Sequence, residues 1–176
     1  MLRQDLDENI APPASTTELL ATRRVTGRRV KTLWDRRTHE DMVERIERLK
    51  PDSRGQWGRM TCPQMVVHIT DAFGLYVGEL RVAGRRTPLQ FTPVKQAFVY
   101  LLPIPKNVPT APELTARVAQ DWPSVVARLV AAMSSFTAQR GRGDWPAHPM
   151  FGRLSGRAYG VLAYKHTDHH LRQFGE

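Results

Sequence analysis

The sequence predicts an all-α protein with four main helices in one domain. Apolar residues recur at steps of three and four in several segments, which is the spacing that places side chains on one face of a helix. Typical helix-start residues precede these segments, and no segment shows a convincing strand pattern. A chain of 176 residues is also long enough to bury a core within a single domain.

The first predicted helix begins at Thr38. The Thr38 side chain can accept a hydrogen bond from the backbone near Asp41, and acidic residues in this turn favour the positive end of the helix. The inward-facing stripe of this helix consists of Met42, Ile46 and Leu49. Pro51 then ends the helix.

The second predicted helix has the clearest start signal in the chain. Thr61 and Gln64 form the T-x-x-Q pattern of a capping box, and Pro63 suits the first turn, where its nitrogen needs no partner. We expect this helix to cover residues 62 to about 82. Its inward face comprises Met65, His68, Ile69, Ala72, Phe73, Tyr76 and Leu80.

Prolines are frequent between residues 84 and 112, and they exclude one continuous helix there. We therefore expect a long crossover between helices 2 and 3, with a short helix over residues 95–102. The third helix is predicted over residues 113–139, where Pro123 either kinks it or separates its first turns. The core candidates of this helix are Leu114, Val118, Val125, Leu129 and Met133.

The last helix is predicted to begin near Ser155 and to end at about Phe174. Glycines and a proline separate it from the third helix. One side of this helix carries Tyr159, Leu162, His166, His169, His170 and Gln173.

The formal net charge of +9 is concentrated near the N-terminus. Between residues 19 and 37 there are seven basic residues and one acid, so this segment carries +6 of the total. We interpret residues 1–30 as a disordered basic arm and residues 31–176 as the folded domain. Such an arm is more often a solvated tail than a binding element, although it can contact the phosphates of nucleic acid without sequence selectivity.

The composition favours a cytoplasmic protein. A single cysteine excludes an internal disulfide framework. The acidic N-terminal residues lack the apolar run of a signal peptide, and no stretch approaches the roughly 20 apolar residues of a membrane span.

Three histidines predict a metal site. His68 lies in the apolar stripe of the second helix, whereas His166 and His170 are four residues apart on the last helix, about 40° from each other around its axis. Alone, His68 would more often be a hydrogen-bonded core residue, but three imidazoles that converge in one core favour a divalent cation. His169 lies three residues after His166 and is an alternative ligand to His170. Asp71 is a candidate acceptor for a ligand N–H group, as is Asp168, although both could equally be surface acids.

Several segments of the chain resemble the DinB/YfiT-like superfamily. The start of the second helix is similar to that superfamily in the pattern W-G-x-M from Trp57 and Q-M-x-x-H from Gln64. Three further segments resemble an uncharacterised branch of this superfamily. They are P-K-N-V-P-T-A-P from Pro105, H-P-x-F-G-x-L-S from His148 and Y-K-H-x-D-H-H-L-R-Q-F-G from Tyr164. The resemblance extends over residues 33–175 and leaves out the basic arm.

The resemblance implies a DinB-like four-helix bundle with a three-histidine metal site. By position, the ligands would be His68, His166 and His170. The superfamily includes thiol-dependent transferases and isomerases that use low-molecular-weight thiols, but the branch itself has no assigned activity. A homodimer is a further expectation from the fold family, although the sequence itself shows no interface.

The chemistry expected of such a site is attack by an activated thiol or water on a small molecule. Zinc and nickel are the metals best suited to three imidazoles with an open coordination position. The sequence favours a metal-dependent transferase or hydrolase, without naming its substrate or catalytic residues. The alternative is a non-catalytic helical module whose basic arm contacts nucleic acid or another anionic partner.

Other residues have simpler interpretations. Cys62 begins the second helix, where a thiolate would be favoured, but a lone cysteine at such a position is usually a packing residue. His39 and His148 are interpreted as structural or surface residues. The four tryptophans are expected in the core and not in a ligand site; they are Trp34, Trp57, Trp122 and Trp145.

Overall fold

The computed structural model describes residues 30–84, 86–107 and 121–176. Within these ranges the chain is helical and has no strand, which confirms the all-α prediction for this part of the molecule. The α-helices are α1 (Arg36–Arg48), α2 (Cys62–Val77), α3 (Thr92–Gln96), α4 (Trp122–Ala138) and α5 (Gly156–Gln173). Among them, no helix has both the length and the apolar character needed to cross a membrane. The basic arm at residues 1–29 lies outside the described ranges.

Helix α1 begins earlier than predicted. Its N-cap is Asp35, whose Oδ1 accepts a hydrogen bond from the backbone N–H of Thr38 at 3.1 Å. The prediction that Thr38 caps the helix is therefore wrong, because a carboxylate three residues earlier satisfies the same free backbone donors. Met42 and Ile46 are fully buried, as the apolar stripe predicts.

Helix α2 begins as predicted and ends early. Thr61 and Gln64 form both hydrogen bonds of the capping box, and Pro63 lies in the first turn. The helix ends at Gly78, which adopts the left-handed conformation with φ of 89°. The predicted end near Val82 is wrong because a left-handed glycine terminates the helical hydrogen bonding. Leu80, expected on the inward face, lies beyond the helix and is partly buried against the core.

The chain between α2 and α4 contains short helical segments. A 3₁₀ turn covers Pro88–Gln90, α3 follows, and a π-helical turn covers Ala97–Leu101. The short helix predicted over residues 95–102 therefore exists, but it begins three residues earlier and changes its hydrogen-bonding pattern midway. Lys165 of α5 holds this segment in place, since its Nζ donates to the carbonyls of Phe98, Val99 and Leu102 at 2.5, 3.1 and 2.5 Å.

Helices α4 and α5 both begin at side-chain caps. Asp121 accepts from the backbone N–H of Ser124 and begins α4, so Pro123 lies in the first turn and does not kink the helix. The residues predicted as helix before Asp121, with Leu114 and Val118, lie outside the described ranges. Ser155 caps α5, and the predicted limits of this last helix are confirmed.

The four long helices pack on one another. Helix α2 lies along α4 and also contacts α5, whereas α1 contacts α4 and α5. The core contains an aromatic group in which Trp34 stacks on Phe136 at 4.5 Å between ring centroids, and Phe73 lies 5.4 Å from the same ring. Gly160 allows α5 to approach Trp34 closely, because a Cβ at this position would overlap the indole.

Candidate metal centre

The structure brings together the three histidines that the sequence predicts. His68 comes from α2, and His166 and His170 come from successive turns of α5. One ring nitrogen from each residue lies within 4.8 Å of the others. The Nε2 atoms of His68 and His166 are 3.1 Å apart. Three imidazoles from two helices therefore converge on one point in the interior.

Gln173 fixes the orientation of His170. The Gln173 Nε2 donates to the carbonyl of Trp57 at 2.6 Å, so the other amide atom, which lies 2.8 Å from His170 Nδ1, must be the oxygen. His170 Nδ1 consequently carries the proton and donates to that oxygen. This leaves Nε2 of His170 with a free lone pair for a cation.

Tyr76 contacts the outer nitrogen of His166. Its hydroxyl oxygen lies 3.1 Å from His166 Nδ1. Burial raises the pKa of Tyr76, so the hydroxyl stays protonated. It can act either as acceptor or as donor, and this allows His166 to use Nε2 as a ligand while Nδ1–H donates to Tyr76.

Burial keeps His166 and His170 uncharged. Burial and the neighbouring His170 and His68 rings lower the pKa of His166 well below its ordinary value. Burial, with a smaller contribution from His68, lowers the pKa of His170 to about 3. Both imidazoles are therefore neutral at physiological pH, and the neutral form is the one that binds metals.

The alternative ligand His169 and one of the two expected acceptors, Asp168, have other contacts. His169 packs its ring edge-on against Trp57, with centroids 5.7 Å apart, and does not belong to the converging group. Asp168 forms ion pairs with Arg45 of α1 at 2.9 Å and with Arg172 at 3.0 Å. His166 and His170 are instead contacted by Tyr76 and Gln173, respectively.

A cavity of about 780 Å³ opens in front of the histidines. His68, His166 and His170 lie in its wall, and the remainder of the wall is mostly apolar. Its apolar residues include Val82, Phe98, Ile104, Phe151 and Leu162. A volume of this size is typical of sites for small organic molecules.

Two cavity residues have roles that the sequence did not predict. His148, interpreted as a structural or surface residue, lies in the cavity wall, and burial lowers its pKa to about 4. Trp57, expected in the core, also lines the cavity, and Lys106 Nζ lies 4.1 Å from its ring centroid. Both residues belong to loops, for which helical periodicity gives no information about facing.

Cys62 is a packing residue. Its side chain is fully buried in the core, and burial raises the pKa of the thiol to about 12. A helix N-terminus favours a thiolate, but here the loss of hydration outweighs that effect.

Fold and site together define a helical protein with a buried three-histidine cluster that faces an apolar cavity. The chain belongs to the family described as "Protein of unknown function (DUF1569)", whose model matches residues 83–176, more than half of the chain. The matched segment contains His166 and His170, whereas His68 precedes it. Comparisons with curated proteins and with solved structures gave no match.

Proposed function

We propose that this protein binds a divalent cation, zinc or nickel, through His68, His166 and His170, and that it uses this centre to activate water or a small thiol for attack on a small molecule. The observation that carries the proposal is the convergence of three ring nitrogens within 4.8 Å of one another. In metal-free protein a hydrogen bond between the His68 and His166 Nε2 atoms satisfies only that pair, whereas a shared cation would be bound by all three inward-facing nitrogens.

The spacing suits a cation. Ligand nitrogens around tetrahedral zinc are about 3.3 Å apart, given Zn–N bonds of about 2.0 Å. The distance of 3.1 Å between the Nε2 atoms of His68 and His166 is close to this value. A side-chain adjustment on the order of 1 Å would bring the third nitrogen to the same separation.

The donor set also defines the chemistry. A cation held by three neutral imidazoles keeps its full charge and lowers the pKa of a bound water or thiol, which supplies a nucleophile near neutral pH. The protein contributes orientation, through the hydrogen bonds of Tyr76 and Gln173 to the ligand rings. The apolar cavity limits the access of bulk water to the reacting groups. A metal-dependent transferase or hydrolase fits this arrangement.

We also propose that the protein has the fold of the DinB/YfiT-like superfamily. Helices α1, α2, α4 and α5 would be the four helices of a DinB/YfiT-like bundle, with the segment between α2 and α4 as its long crossover. The origin of the ligands supports this, since one comes from the second long helix and two from the last.

Metal analysis of protein prepared without a histidine tag tests the proposal. We expect about one zinc or nickel ion per chain, and a loss of affinity of more than about 100-fold in His166→Ala. His169→Ala is the matched control, because this residue lies on the same helix outside the converging group, and it should bind metal like the wild type. Equal metal affinity in the wild type and His166→Ala would overturn the proposal.

A further inference from the structure

Apart from the three clustered histidines, the described polar groups of the cavity wall are hydrogen-bond donors and a cation, without a carboxylate. Among the described residues in the cavity wall there is no aspartate or glutamate. The one formal charge in this set is the exposed Arg59. Lys106, stacked on Trp57, adds a second positive charge at the edge of the wall.

His148 presents a donor to the cavity. Its Nδ1 accepts hydrogen bonds from the backbone N–H groups of Met150 at 3.1 Å and Phe151 at 3.4 Å. Nδ1 is therefore unprotonated, and in the neutral ring the proton lies on Nε2. The ring centroid of His148 lies 6.0 Å from that of Tyr76, so this donor is close to the histidine cluster.

Tyr76 completes this set of donors when the metal is bound. If His166 uses Nε2 as a ligand, its Nδ1–H donates to the Tyr76 oxygen, and the hydroxyl hydrogen of Tyr76 is free to turn to the cavity. This step rests on the proposed metal site. The contribution of His148 does not depend on it.

We propose that the cavity binds an apolar molecule with a carboxylate head, whose oxygens accept hydrogen bonds from Tyr76 and His148 beside the metal centre. The apolar wall, with Phe98, Phe151 and others, accommodates the body of the ligand. An amine would find cationic and donor groups in this set, and no carboxylate partner.

Three probes with the same body and different heads test this proposal. Calorimetric titration of the zinc-loaded protein with octanoate, octanamide and octylamine measures the effect of the head group alone. We expect octanoate to bind about tenfold more tightly than octanamide and to be favoured still more over octylamine. Octylamine or octanamide binding as tightly as octanoate would overturn the proposal.

A conservative substitution tests the assigned donors. Tyr76→Phe keeps the ring and should weaken octanoate binding about tenfold while changing octanamide binding less. Tyr159→Phe is the matched control, because the Tyr159 hydroxyl donates to the Pro146 carbonyl in the core. It should leave the octanoate affinity unchanged, and an equal loss in both variants would contradict the assignment to Tyr76.

Titrations of zinc-free protein separate this proposal from the proposed metal function. Without zinc, octanoate should still be preferred to octylamine, since His148 still donates and the described wall offers an amine no carboxylate. Protein that binds zinc and shows no preference for octanoate would contradict the ligand class alone. Protein that prefers octanoate and binds no zinc would contradict the metal function alone.

Discussion

The two sides of helix α2 differ in how they are packed. Towards α4 the interface is filled with apolar side chains, such as Phe73 against Phe136, whereas the side with His68 and Tyr76 faces the cavity and α5. One helix thus provides stability on one side and a candidate site on the other. Both sides belong to the same regular helix, so helix formation does not distinguish them. The side that borders the cavity is the one that carries the polar residues His68 and Tyr76.

Contacts outside the cavity keep the open side from collapsing. Arg45 and Asp168 join α1 to α5 through a mostly buried ion pair, and Lys165 holds the π-helical turn against α5. Gly160 lets the segment before α1 pack directly on α5. These contacts hold α5 in place while its histidines face the cavity.

The largest expected effect is on stability. It is seen when the same leucine-to-alanine truncation is made in the filled region and in the cavity wall. Leu129→Ala on α4 removes a fully buried side chain from a filled region and should lower the free energy of unfolding by about 3 to 4 kcal/mol. Leu75→Ala on α2 removes a side chain from the cavity wall, which is already open on one side, and should lower it by about 1 to 2 kcal/mol. Urea unfolding measures both values, and equal losses would mean that the two sides are packed alike.

The second effect is a dependence of stability on pH that is largest on the cavity side. The pKa values of His166 and His170 are lower in the folded protein than in the unfolded chain, so the unfolded state binds more protons below about pH 6.5. Metal-free protein should therefore lose about 1.4 kcal/mol of stability per pH unit for each of these histidines as the pH falls. Above about pH 7 both states are neutral and the dependence disappears.

Unfolding of metal-free protein between about pH 7.5 and pH 5 measures this slope. A variant with His166→Gln and His170→Gln is the control, and it should show a flatter dependence, whose remaining slope comes from the other buried histidines, such as His148. The same slope in both proteins would show that burial of these two rings does not control the acid sensitivity.

A smaller effect, on zinc affinity, should follow from removing the hydrogen bond that orients His170. Gln173→Met keeps the side-chain length but removes the oxygen that accepts from His170 Nδ1. We expect zinc affinity to fall about tenfold, the usual consequence of losing a hydrogen bond to a ligand imidazole. Competition with a zinc chelator measures the change. His39→Ala, a substitution on α1 away from the cluster, should leave the affinity unchanged.

Local signals explain which features could be predicted from the sequence. The capping box at Thr61 and the cap at Ser155 depend on residues within three positions of each other, and both were predicted at the correct residue. His166 and His170 lie on one face through helical geometry alone. His68 required only that its apolar stripe face the core.

Features that depend on contacts between distant segments could not be predicted. The partner of His170 is three residues away, but the orientation of Gln173 depends on the carbonyl of Trp57 in another loop. His148 faces the cavity because its loop turns back on itself through paired hydrogen bonds with Gly152. The early end of α2 depends on the conformation of Gly78, which periodicity in the preceding helix does not reveal.

Crystals grown with zinc and measured on both sides of the zinc absorption edge would test the metal centre most directly. We expect an anomalous peak about 2.0 to 2.1 Å from a ring nitrogen of each of His68, His166 and His170. A peak elsewhere, or none at this position in zinc-saturated protein, would contradict the account.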